Sequence, residues 1–146
     1  MEKVHEAAKA LLELAWWVQR KGPIRAGFEP LPATERVILG YLEGNERSSV
    51  TEVGAALDIK PSNVSAAVRE LSARGLVERV ADPDDKRKSL LSLTDEARRN
   101  KSSIDAAVTG SLEEVLEQLS PEHRESLFAS LDALGDVVLR LRTADR

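Results

Sequence analysis

The chain has 146 residues, 42% hydrophobic and 32% charged, with a formal net charge of −4. That is the size and composition of one globular domain, not of a disordered chain. It has no cysteine, which excludes disulfides, thiolate metal sites and cysteine-based redox sensing. No apolar run approaches the roughly 18–20 residues that span a bilayer. The opening MEKVHEAAKALLEL mixes charge with apolar residues where a signal peptide would be continuously apolar, so a cytoplasmic protein without a membrane partner is expected.

Val4, Ala7, Ala8, Leu11, Leu12, Ala15 and Val18 recur at helical spacing and predict a helix over 3–20. KGPIRAGFEPLP (Lys21–Pro32) carries two glycines and three prolines and reads as a connection. Thr34 is placed to cap a helix Glu35–Leu42, with Glu35 in the first turn favoured by the dipole, ending near Gly44 and Asn45. Ser49-Val50-Thr51-Glu52 is a capping box that opens a short helix to about Leu57. Pro61 opens the next helix, where its missing N–H is no loss, and Gly75 stops it.

Leu76–Val80 and Ser89–Leu93 then read as a hairpin around a charged loop. Thr94-Asp95-Glu96 caps a long helix to about Leu119, with Ile104, Val108, Leu112, Val115, Leu116 and Leu119 on one stripe. Ser120-Pro121 breaks it and starts a last helix carrying Leu127, Phe128, Leu131, Leu134, Val138 and Leu141. The expected fold is mainly α: a winged helix-turn-helix core with a two-stranded β wing, flanked by N- and C-terminal helices.

In the helix opened by Pro61, Val64, Val68 and Leu71 are spaced to face the core. Ser62, Asn63, Ser65, Ala66 and Arg69 make the other side small and polar with one long cation. Small residues let a helix approach base edges in the major groove, and an arginine can bond guanine through two hydrogens. The competing reading is an ordinary solvated face, but such faces usually carry several Glu and Lys. In the wing loop, Arg87 is placed for the adjacent minor groove, with Lys86 and Lys88 nearer the phosphates. The acids Asp82, Asp84 and Asp85 are expected to brace that arginine.

Charge is unevenly distributed. Lys60, Arg69, Arg74, Arg79, Lys86, Arg87 and Lys88 face only Glu70, Glu78, Asp82, Asp84 and Asp85, whereas the segment from Lys101 onward is acidic. A polyanion responds to the local field, so the net negative charge does not exclude DNA.

The stretch SSVTEVGAALDIKPSNVSAAVRELSARGLVERVADPDDKRKSLLSLTDEA resembles the core of the MarR family of winged helix-turn-helix bacterial transcription regulators, over roughly residues 32 to 100. LSARGLVERV, the wing DPDDKR and the LSLT before the long helix carry the likeness. The family's wing reads Asp-x-Arg-Asp-x-Arg; Asp82, Asp85 and Arg87 match it, and Asp84 stands in place of the middle arginine.

The resemblance implies three regions: 1–31, an N-terminal dimerisation helix and linker; 32–93, the DNA-binding winged helix-turn-helix; and 94–146, the long helix and C-terminal dimerisation helix. It implies a homodimer on a near-palindromic double-stranded operator, with Leu11, Leu14, Leu127, Leu131, Leu134 and Val138 in the dimer contact, and a repressor role. The DNA contacts would come from Pro61, Ser62, Asn63, Ser65, Ala66, Arg69, Lys86, Arg87 and Lys88. It also implies release by a small aromatic or phenolic acid in a cavity lined by Trp16, Trp17, Phe28 and Tyr41, with Arg25 as carboxylate anchor; the competing reading makes these aromatics plain core.

His5 and His123 are far apart in sequence without metal-ligand spacing, and there is neither a phosphate-cradling glycine loop nor a nucleophile motif. No enzyme, metal or cofactor is expected. The alternative from another class is a winged-helix module that binds protein instead of DNA.

Overall fold

The computed structural model describes residues 1–144, apart from the side chain of Arg142. Two compact units divide the chain, Met1–Val108 and Thr109–Arg146.

In the first unit, α1 spans Glu2–Arg25 and runs through Pro23, where a connection was expected from Lys21. A proline within three residues of the helix end leaves few later turns to disturb. The end is closed by backbone bonds from Ala26 to Gly22, Gly27 to Ile24 and Phe28 to Pro23. Gly22 has a packing reason: a Cβ there would lie 2.6 Å from Val108 Cγ2.

Helix α2 spans Ala33–Gly44 and starts earlier than Thr34 would have capped it. The Pro32 carbonyl accepts the Arg36 amide at 3.0 Å and sets the first turn, which leaves Thr34 inside the helix. Helix α3, Val50–Leu57, carries the expected capping box. The Glu52 amide donates to Ser49 Oγ at 3.2 Å, and the Ser49 amide donates to Glu52 Oε2. Helix α4, Pro61–Ala73, starts on its proline and ends before Gly75, whose φ of 70° is the left-handed stop.

Strands β1 (Val77–Ala81) and β2 (Ser89–Leu93) pair antiparallel, with Val77 opposite Leu93 and Arg79 opposite Leu91. The first strand starts one residue later than expected. The Leu76 amide is used by the Leu71 carbonyl to finish the α4 turn. Ser48 adds a single bridge to Leu91, which ties the start of α3 to the wing.

Ile38, Leu42, Val53, Val64, Val68, Leu71 and Leu91 are all fully buried and form one core between α2, α3, α4 and β2. Removing a side chain such as Leu71 to alanine costs about 2–5 kcal/mol. Thr94 then anchors α5 (Asp95–Leu116) to this core. Its hydroxyl donates to the Gly75 carbonyl at 2.6 Å and accepts the Ala97 amide at 3.1 Å. Helix α5 stops at Leu116, short of Leu119.

In the second unit the single expected last helix is two: α6, Pro121–Ala129, and α7, Leu131–Ala144. Ser130 makes the break. Its amide and its hydroxyl both reach back to the Leu127 carbonyl, at 3.1 and 2.7 Å, which tightens the turn, and its own carbonyl takes the Leu134 amide to start α7.

Candidate nucleic-acid interface

Period and burial agree along α4. Val64, Val68 and Leu71 are buried, which turns Pro61, Ser62, Asn63, Ala66 and Arg69 to solvent and leaves Ser65 half-buried. No side chain caps the helix N-terminus, so its positive end is open to an anion. The helix is aimed by the turn before it, where Asp58 takes a left-handed φ of 52° and the Ile59 amide bonds the Gly54 carbonyl at 2.9 Å.

The wing loop is shaped by its own acids. The Asp82 amide donates to the Lys88 carbonyl, and the Lys88 amide to the Asp85 carbonyl. Asp85 Oδ1 takes the Arg87 amide at 3.1 Å and sits 3.3 Å from Arg87 Nε. The Arg87 side chain is still 92% exposed. It is therefore held at its base and free at its tip. Asp82 does not brace the arginine; it accepts the Asp84 amide at 2.8 Å and folds the loop. Lys86 and Lys88 are exposed beside it.

Glu52 lies close enough to the wing to feel Lys88 and Asp82. Its carboxyl is held below the usual carboxylate range, first by the Ser49 amide of the capping box and then by the Ser49 hydroxyl.

The aromatic residues expected around a ligand do not all line the cleft at Trp16. Trp16 lines a cleft with Arg20, Leu31, Pro32, Arg36 and Arg74, whereas Trp17, Arg25, Phe28 and Tyr41 do not line it. Trp17 packs edge-to-face on Trp16, with ring centres 5.5 Å apart, and lies under the Lys21 ammonium. Tyr41 packs against the core. Phe28 is half-buried and Arg25 exposed.

Sequence reasoning missed the cleft's three arginines, because they come from α1, α2 and the end of α4 and no spacing joins them. Arg74 Nε is also 4.0 Å from the buried Oε2 of Glu35, an oxygen with no hydrogen-bond partner. Among the described residues no cluster of His, Asp and Glu is placed to hold a metal ion, and no helix is long and apolar enough to cross a membrane.

Comparison with curated proteins gives no match. Residues 30–88 match the model of the MarR family. Among solved structures, the transcriptional regulator Tm0710 from Thermotoga maritima is similar over 95% of this chain and 98% of its own, with a TM-score of 0.74 at 21% identity. A MarR family protein from Bacillus stearothermophilus covers 94% and 96% with a TM-score of 0.70 at 22% identity. A mutant of S. aureus MepR bound to an oligodeoxyribonucleotide covers 90% and 97% with a TM-score of 0.63 at 18% identity. These likenesses carry the fold across nearly the whole chain, and the matched region holds α2, α3, α4, β1 and the wing loop. The chain therefore has the winged-helix fold, and its segment 30–88 is similar to the MarR family.

Proposed function

We propose that this chain is a transcription regulator that binds double-stranded DNA as a homodimer, and that it is a binding protein, not an enzyme, working in the cytoplasm. The observation that carries this reading is the pairing of two surfaces in the first unit. One is the small, polar, exposed side of α4. The other is Arg87, fixed by Asp85 at its base and 92% exposed. A wing with a free guanidinium suits the negative potential of a narrow minor groove. The solved MepR complex with an oligodeoxyribonucleotide supports DNA as the partner of this fold. A module that binds protein would have no use for that combination.

The exposed apolar residues support the homodimer. Leu11, Leu14 and Leu12 on α1, and Leu131, Val138, Leu139 and Leu141 on α7, are each more than two-fifths exposed. A helix with that much apolar surface is stable in water when a second copy covers it. A two-fold dimer places two copies of α4 about one DNA turn apart, so the operator is a near-palindrome.

The chain acts as a repressor, released by a small aromatic or phenolic acid. The Trp16 cleft supports that effector: three guanidinium groups, of Arg20, Arg36 and Arg74, outnumber the one carboxylate of Glu29 in its lining, beside an indole and the apolar Leu31 and Pro32. Hydroxyl-radical footprinting of the region upstream of the chain's own gene tests the proposal. Two protected half-sites about 10 base pairs apart, related by a two-fold axis, are expected; uniform cleavage across the whole region contradicts it.

A further inference from the structure

Strand β1 breaks its own pattern. In an antiparallel pair, residues directly opposite share one face of the ribbon. Val77 and Leu93 are opposite, as are Arg79 and Leu91, and Val77, Leu91 and Leu93 are all buried. Arg79 therefore stands on the face that packs the core, where period two calls for an apolar side chain. It is nonetheless exposed. Beyond the buried Val77 and Val68 an open cleft lies between α4 and β1, lined also by Arg79, Arg69, Ser65, Ser72 and Glu78. Among the described residues neither Arg69 nor Arg79 is in an ion pair. Two guanidinium groups against one carboxylate leave the cleft positive.

The position of this cleft matters once α4 and the wing are taken as the reading elements, and the inference rests on that part of the proposed function. A helix in the major groove and a wing tip in the adjacent minor groove lie on either side of one sugar-phosphate strand. That strand has to cross the molecule between α4 and the hairpin, which is where the cleft lies. We infer that the cleft is a phosphate seat, in which Arg79, assisted by the Ser65 and Ser72 hydroxyls, grips the DNA backbone between the two grooves. Arg79 is then a positioning contact that fixes the depth and register of α4. Arg69, at the same cleft, is left to reach a base edge.

The test needs no knowledge of the operator, because a phosphate contact is independent of sequence. Binding of a mixed-sequence duplex of roughly 25 base pairs, long enough for two half-sites, is titrated by fluorescence anisotropy over a series of salt concentrations. The unmodified protein is compared with Arg79→Ala, Arg79→Lys and Arg99→Ala, the last removing an exposed cation of α5 outside the cleft.

Arg79→Ala is expected to weaken binding roughly tenfold at low salt. It should also reduce the slope of log affinity against log salt by about 0.9, the value of one phosphate contact. Arg79→Lys restores the slope, which a merely structural role for the side chain would not do, and Arg99→Ala leaves it unchanged. A slope for Arg79→Ala equal to that of the unmodified protein overturns the inference, as does a loss no larger than that of Arg99→Ala. If the unmodified protein itself fails to bind any duplex at low salt, the DNA-binding reading falls first and this inference falls with it.

Discussion

Replacing Gly54 by alanine probes the turn that aims α4. A Cβ at Gly54 would lie 2.7 Å from the Ile59 carbonyl oxygen and 3.6 Å from Val64 Cγ2. The first of these is backbone, two residues before Pro61, and cannot rotate aside. The new methyl group forces α3 and α4 apart at a cost of about 1–3 kcal/mol. Helix propensity returns about 1 kcal/mol of that in the exchange of glycine for alanine. The net expectation is a loss of about 1 kcal/mol.

Gly40 in α2 supplies the control, since a Cβ there meets nothing within 4 Å. Gly40→Ala keeps the propensity gain of about 1 kcal/mol. The two variants should therefore differ by about 2 kcal/mol, or roughly 4–8 °C in Tm for a chain of this size. Thermal unfolding followed by circular dichroism at one fixed protein concentration measures the difference. Because the displaced backbone leads straight into α4, Gly54→Ala should also weaken DNA binding, while Gly40→Ala should not. Equal gains in stability for both variants would refute the close approach of α3 and α4.

Ser49→Ala should destabilise the protein by about 1 kcal/mol in urea unfolding, the usual cost of losing a serine cap. The folded pKa of Glu52 lies below its unfolded value, so its contribution is present above the unfolded pKa and fades as pH falls through the folded one. The unfolding midpoint of the unmodified protein should therefore drop more steeply across the acid range than that of Glu52→Gln, which has no carboxyl to titrate; parallel curves contradict this. Arg69→Ala should cost about 1–3 kcal/mol on the operator and relax sequence preference. Arg87→Ala should weaken binding most at an A·T-rich flank, and Asp85→Asn should fall between it and the unmodified protein; equal affinities in anisotropy titrations count against the wing contact. Leu131→Asp combined with Val138→Asp should convert the dimer to monomer in light scattering, and an unchanged mass assigns these helices another role.

The elements that were legible in the sequence are those set by local chemistry. Pro61 at a first turn, Gly75 at a left-handed stop and the reciprocal bonds of Ser49 and Glu52 each act within four residues. The buried side of α4 followed from the spacing of Val64, Val68 and Leu71 for the same reason.

What was not legible depends on partners distant in the chain or on competition between local options. Pro23 stays within α1, whose Gly22 packs against Val108. Ser130 ends a helix that its apolar spacing would have continued, because its hydroxyl and amide both take the Leu127 carbonyl. The Trp16 cleft joins arginines from three elements. Arg79 was visible only as one more cation until the register of β1 put it on the inner face of the wing.

The most direct test of the account is anisotropy titration of a duplex from upstream of the chain's own gene, beside a scrambled duplex of equal length, at two salt concentrations. The account predicts tighter binding to the upstream duplex, with both affinities falling steeply as salt rises. Weak binding that is equal for the two duplexes and insensitive to salt would contradict it, and would leave a winged helix whose partner is not DNA.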